Sequence, residues 1–95
     1  MTVDVASGGS GSTTTTIVAL SVKNCDEFIF GQNTNIEFMY CTFENVVYLS
    51  FTGSENLTFT NCLFINSVIT CSNDVYNAIV NGVDNEYESS SFDIH

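Results

Sequence analysis

Basic side chains are almost missing from this 95-residue sequence. It has no arginine, and Lys23 is its single lysine against 11 acidic residues, for a formal net charge of −10. Displacing counterions from a nucleic acid requires lysine and arginine, and so does attraction to an anionic membrane; neither partner is expected. No apolar run approaches the length of a membrane-spanning helix. No basic start precedes a long apolar stretch, so no secretory signal is read, and residues 17–22 are too short for one and suit a pair of strands. Proline is absent and no segment shows helical periodicity, so neither a proline nor a covering helix is expected to block the edges of a sheet. The four cysteines, Cys25, Cys41, Cys62 and Cys71, show no C-x-x-C spacing and no neighbouring histidine, which argues against zinc. A chain of this length makes one small domain with a modest core.

What the sequence does contain is a repeat. NIEFMYCTFENVVYLSFTGSE at 35–55 and NLTFTNCLFINSVITCSNDVY at 56–76 share one pattern with no insertion. Asn35 matches Asn56, Phe38 matches Phe59, Cys41 matches Cys62, Phe43 matches Phe64 and Asn45 matches Asn66, each 21 positions on. The register extends outward to Ile17 and Val80, to Leu20 and Val83, to Val22, to Asn24 and to Asn77, so about four copies are expected, the outer two degraded. Within a copy, apolar residues alternate: Ile36 and Phe38 flank Glu37, and Leu57 and Phe59 flank Thr58. That period is a strand's, and valine, isoleucine, threonine, phenylalanine and tyrosine suit strands. Each copy holds about three short strands, at 57–60, 62–65 and 67–71 in the third, followed by a polar turn at 72–74.

Three strands repeated near every 20 residues describe one coil of a solenoid, which buries its inward residues only when stacked on the next coil. The expected fold is therefore all-β, a parallel β-solenoid of about four coils. Equivalent residues become ladders at the strand spacing, about 4.8 Å. Two ladders are asparagine: Asn24, Asn45 and Asn66, and Asn35, Asn56 and Asn77. Asparagine tolerates the left-handed backbone of a sharp bend, and stacked amides hydrogen-bond along a ladder. Cys41 and Cys62 share an inward column within reach of a disulfide, but parallel neighbours point the same way, so two stacked thiols packing as small hydrophobes are expected.

Residues 56–66, NLTFTNCLFIN, and their weaker twin at 35–45, NIEFMYCTFEN, resemble right-handed parallel β-helix proteins of the pectate-lyase-like fold. The resemblance covers residues 14–85. It implies a right-handed winding with asparagine ladders and inward stacks of aromatic or cysteine residues. That fold carries polysaccharide lyases and hydrolases, phage tailspikes, adhesins and structural appendages, so it does not name an activity. The lyases rely on an arginine or lysine base with acidic calcium ligands, and this chain has no arginine and an isolated Lys23.

Three regions are expected: an arm or linker at 1–13, the solenoid at 14–87 and a polar tail at 88–95, with Phe92 and Ile94 as its anchors. Thr2, Val3, Asp4, Val5 and Ala6 suit a short strand, and Gly8 to Ser12 reads as a flexible linker. The arm either folds back over the first coil or adds a strand to a neighbouring subunit. Ile17, Leu20, Val22, Phe28 and Phe30 are the expected core of the first coil. Val47, Leu49 and Phe51 fill the third strand of the second coil, with Val68, Thr70 and Ser72 as thinner equivalents. Ala78, Val80 and Val83 begin a fourth coil.

No two carboxylates share a column in adjacent coils, so the acid pair of a glycosidase is not expected, and the chain reads as non-enzymatic. Asp84, Glu86, Glu88 and Asp93 are hard ligands of the kind calcium takes, but their spacing fits no loop motif, and a solvated acidic end is the simpler reading; His95 is isolated. A threonine array for ice is not repeated beyond Thr58 and Thr60. Asn56-Leu57-Thr58 matches a glycosylation sequon at a position the ladder needs. Unblocked ends favour stacking on another copy, head to tail into a filament. The expected function is structural: a self-assembling subunit of an extracellular filament or virus-type fibre, or part of a larger virion assembly, with the arm at 2–16, residues 2–6 foremost, as an intersubunit clasp; deletion of residues 1–13 is expected to shorten or abolish assemblies. The alternative is a carbohydrate-binding or adhesive β-helix fragment, using Tyr40 and Tyr48 to stack on a glycan.

Overall fold

The structure, a computed structural model, describes residues 2–3, 15–31, 34–51 and 55–95. In chain order the elements are β1 (Thr2–Val3), β2 (Thr15–Val18), β3 (Ser21–Phe30), β4 (Thr34–Met39), β5 (Thr42–Ser50), β6 (Glu55–Thr60), β7 (Leu63–Ile65), β8 (Val68–Cys71), α1 (Asn73–Val80), β9 (Glu86–Glu88) and β10 (Ser91–Ile94). One sheet runs β2-β4-β6. The other runs β1-β3-β5-β7-β9, with β8 beside β5 and β10 beside β8. Every strand pairing is parallel. The chain is thus a β-solenoid of about three turns.

Left-handed residues set the corners. Asn24, Asn45 and Asn66 have φ of 54°, 55° and 46°, and Asn35 and Asn56 have 54° and 55°. Asparagine adopts this region at lower cost than most residues. A further column not read from the sequence makes a third corner: Ala19, Tyr40, Asn61 and Asp84 all have positive φ. A side chain that the alternation would send outward can be followed by one that points in, because each bend resets the parity. The 21-residue register holds along the first two strands of the first three coils: Ile17 pairs with Phe38 and Phe38 with Phe59, and Val22 pairs with Phe43 and Phe43 with Phe64.

The core is a set of aromatic stacks along the solenoid axis. Phe38 lies 4.9 Å from Phe59 and Phe43 lies 5.4 Å from Phe64, both pairs within 10° of parallel. Phe30 and Phe51 make a third stack at 5.1 Å. All six rings are buried, and full burial of such a side chain contributes about 1.5–3 kcal/mol. Cys41 and Cys62 sit buried in one column as free thiols, and Cys25 and Cys71 are free as well.

Five expectations give way to the structure. First, the stretch read as lacking helical periodicity contains α1. Two turns carry too few apolar positions to stand out in sequence; Val75 and Ile79, four apart, are its buried face. The polar turn at Ser72 is the helix N-cap, its hydroxyl accepting from Val75 N at 3.4 Å, and Asp74 in the first turn suits the helix dipole. Second, Asn77 therefore lies on the helix and outside the ladder of Asn35 and Asn56. Third, the register lengthens after the third coil: Leu63 pairs with Glu86, 23 residues on. Val80 leaves the Phe38 column for the helix, and Val83 pairs with Thr60 and is 63% exposed, so neither extends the core. Fourth, Val47 and Val68 face solvent while Val46 and Ile69 are buried. The bend at Asn45 moves the inward position by one, and β5 carries one residue more than β8 between Glu44↔Ile65 and Leu49↔Ile69. Fifth, residues 91–94, read as a polar tail, form β10 on β8.

Truncating a stacked ring opens a cavity that a column of this kind cannot close. Phe38→Ala is expected to cost about 3–5 kcal/mol in urea unfolding. Thr70 Oγ1 is buried without a hydrogen-bond partner, so Thr70→Val is expected to leave stability unchanged or raise it by about 1 kcal/mol.

Candidate functional site at the solenoid ends

The two ends of the winding differ. At the N-terminal end, β2 and residues 21–25 of β3 have no strand on their outer edge among the described residues. Over them lies a recess of about 580 Å³, its floor formed by Ile17, Leu20, Val22, Phe28 and Phe30. Lys23 stands exposed at its rim. The arm meets this end at one corner: Thr2 pairs with Ile29 and Val3 with Phe30, within the same chain. Of the five arm residues singled out in the sequence, Asp4, Val5 and Ala6 lie outside the described residues.

At the C-terminal end, α1 takes the place that a fourth strand of the β2-β4-β6 sheet would occupy. It packs on β6 and buries Val75 and Ile79. Asn85 ties it down. Its Oδ1 accepts from Cys62 N at 2.9 Å, and its Nδ2 donates to Phe59 O at 2.9 Å and to Ile79 O at 3.0 Å. Asn85 stands 23 residues after Cys62 and so closes the cysteine column with an amide. Gly82 allows the helix end to approach this closely, since a Cβ there would strike Phe59 O and Ala78 O. One sheet is thus plugged. The other ends in the open edges of β9 and β10, which carry Glu86, Glu88 and Asp93, all exposed.

The asparagine column at 24, 45 and 66 is joined by its amides. Asn45 Nδ2 donates to Asn24 Oδ1 at 3.0 Å and Asn66 Nδ2 to Asn45 Oδ1 at 2.8 Å. A second polar column lies one residue on and was not read from the sequence. Ser67 Oγ accepts from Val46 N at 3.2 Å and donates to Ile65 O at 2.9 Å, and Ser90 Oγ accepts from Ser67 N at 3.1 Å. The signal was present as serine after a bend residue, but the two-residue shift of the last coil hides the match of Ser67 with Ser90.

The buried thiols pack against backbone carbonyls of the neighbouring strands. Cys41 Sγ lies 3.5 Å from Ile17 O and Met39 O, and Cys62 Sγ lies 3.5 Å from Phe38 O and Thr60 O. The neighbouring Cys62 thiol draws the Cys41 thiol down. The neighbouring Cys41 thiol, then burial, pushes Cys62 up. Burial, then the Asp93 carboxylate, pushes Cys71 up to about 11. Among the described residues no three His, Cys, Asp or Glu side chains converge to hold a metal ion. Asp84, Glu86, Glu88 and Asp93 are spread over exposed positions, and the one ion pair there, His95 with Asp93 at 3.4 Å, is on the surface, where such pairs contribute little. Tyr40 and Tyr48 are 58% and 38% exposed, the first at the corner after β4 and the second within β5. Compared with known protein families and with curated proteins, the chain matches none.

Two outcomes test this geometry. Asn85→Ala leaves Cys62 N and Phe59 O without their partner and is expected to destabilise by about 2–3 kcal/mol in denaturant titration. Asn85→Asp keeps the acceptor and loses both donations, so it is not expected to rescue. The Cys71 thiol titrates near 9 when unfolded and near 11 when folded. Its neutral form is favoured by folding, so its contribution is complete below pH 9 and is lost as pH rises from 9 to 11. The melting temperature is expected to fall over that window, less steeply in Cys71→Ala.

Proposed function

We propose that this chain is a structural subunit that assembles with copies of itself, or within a larger virion or appendage, through the ends of its solenoid, with the N-terminal arm at the junction. The setting is extracellular or on a virion, and the role is non-enzymatic. The observation that carries the reading is the pair of strand edges on one sheet with no partner among the described residues, residues 21–25 of β3 at one end and β9 with β10 at the other. A row of free backbone donors and acceptors is a template for another strand. Because every strand is parallel, a copy added with the same polarity prolongs the same ladders. A contact of this head-to-tail type does not close on itself and yields a filament. We further propose a right-handed winding, with the strands from Val83 to Ile94 counted as a fourth coil, and mutual repulsion of acidic copies that salt or a divalent cation screens.

A second reading is favoured by Tyr40. A bulky residue at positive φ is strained, and Tyr40 holds φ of 55° while 58% exposed. An aromatic kept at such a corner suits stacking on a sugar ring, as in a carbohydrate-binding or adhesive fragment.

Electron micrographs of purified protein at physiological ionic strength separate the two. Filaments or higher assemblies are expected. Monodisperse monomers that bind a glycan array, and lose that binding in Tyr40→Asn, would overturn self-assembly in favour of the second reading.

A further inference from the structure

We propose that β1 is an intrachain stand-in for the last strand of a second copy: it holds the β3 edge at Ile29 and Phe30 until a copy stacked head to tail takes that place with its own β10. The inference rests on the end-to-end reading above and names its register and its control.

The register follows from the columns. Ile29 pairs with Ser50, Ser50 with Thr70 and Thr70 with Asp93. Thr2 pairs with Ile29 from the other side. Thr2 and Asp93 are therefore the two ends of one column, and a copy that continued this column would bring its Asp93 to the place Thr2 occupies. The same stacking sets Glu86 to Glu88 of that copy against Ser21 to Lys23, because those residues begin and end three further columns. Each column is then prolonged by one strand spacing, about 4.8 Å.

The side chains fit that placement. Tyr87, 49% exposed, comes over Val22 and enters the recess floored by Leu20, Val22 and Phe28. Glu88 comes beside Lys23. Lys23 is the one basic side chain of the chain, and the column that holds it ends, at the far tip, in a carboxylate. The other sheet takes no part, since α1 closes it at β6. The contact thus depends on the sheet that β1 partly covers. Among the described residues β1 pairs over two positions, a short hold that a longer rung can displace. This role is the reverse of a clasp: β1 pairs within its own chain, so it competes with a partner for the edge.

The test uses the full-length chain. Thr2→Pro with Val3→Pro removes both β1 backbone donors and leaves the solenoid untouched, which circular dichroism and an unchanged melting temperature verify. In sedimentation velocity at physiological ionic strength, the double variant is expected to begin assembling at about tenfold lower concentration than the wild type. In that background Lys23→Glu is expected to return the protein to monomers, and Lys23→Glu with Glu88→Lys to restore assembly. Weaker or unchanged assembly in the double-proline variant, with the wild type still assembling, overturns the stand-in and leaves end-to-end stacking in place. Assembly that Lys23→Glu does not touch, or that the charge exchange does not restore, overturns the register. Monomers in every variant at every concentration overturn the stacking reading itself along with the inference.

Discussion

Parallel backbone pairing between coils of equal length is the constraint on which everything else depends. Over most of the first three coils such a ladder sets residue n beside residue n+21, so a chemical property repeated at that interval becomes a continuous column. Stacked rings at Phe38 and Phe59, and at Phe43 and Phe64, are one result; amides joined at Asn24, Asn45 and Asn66 are another. Equal coil length is enforced at the corners, where left-handed residues turn the strand without adding a loop. A slip of one residue would exchange inward and outward faces throughout a strand, which is why the bends and the stacks stand or fall together.

Where the coil length changes, the structure changes kind. After Cys71 the chain leaves the ladder for a helix and rejoins it two residues late. The helix covers one sheet with Val75 and Ile79, and Asn85 supplies the hydrogen bonds that a cysteine in its column could not. The solenoid is thereby polar: one end has an apolar recess and a strand edge that no described strand covers, and the other has a plug on one sheet and acidic strands on the second. Such asymmetry suits heterologous contacts between ends that differ more than it suits like meeting like.

The interior also shows how a narrow solenoid handles polar groups. Ser67 and Ser90 each satisfy a backbone N–H of the coil before and return a bond to a carbonyl. Thr70, buried with no partner for its hydroxyl, has no evident structural justification. Cysteine at 41 and 62 fills the space between aromatic stacks at small volume, close enough to backbone carbonyls to keep its S–H engaged.

The repeat by itself determined the parallel winding, the column partners in the first two strands of the central coils, the asparagine bends and the aromatic stacks, because all of these follow from local alternation and a constant interval. Tertiary structure alone decided the rest. Helix α1 is two turns long, too short for periodicity to announce, and it exists because β6 leaves an apolar edge for Val75 and Ile79 to cover. Val46 rather than Val47 faces inward because the bend at Asn45 resets the alternation. Asn85 meets Cys62, and Thr2 meets Ile29, only once the coils are stacked. No interval in the chain links those residues, and the contact is made by the space between elements.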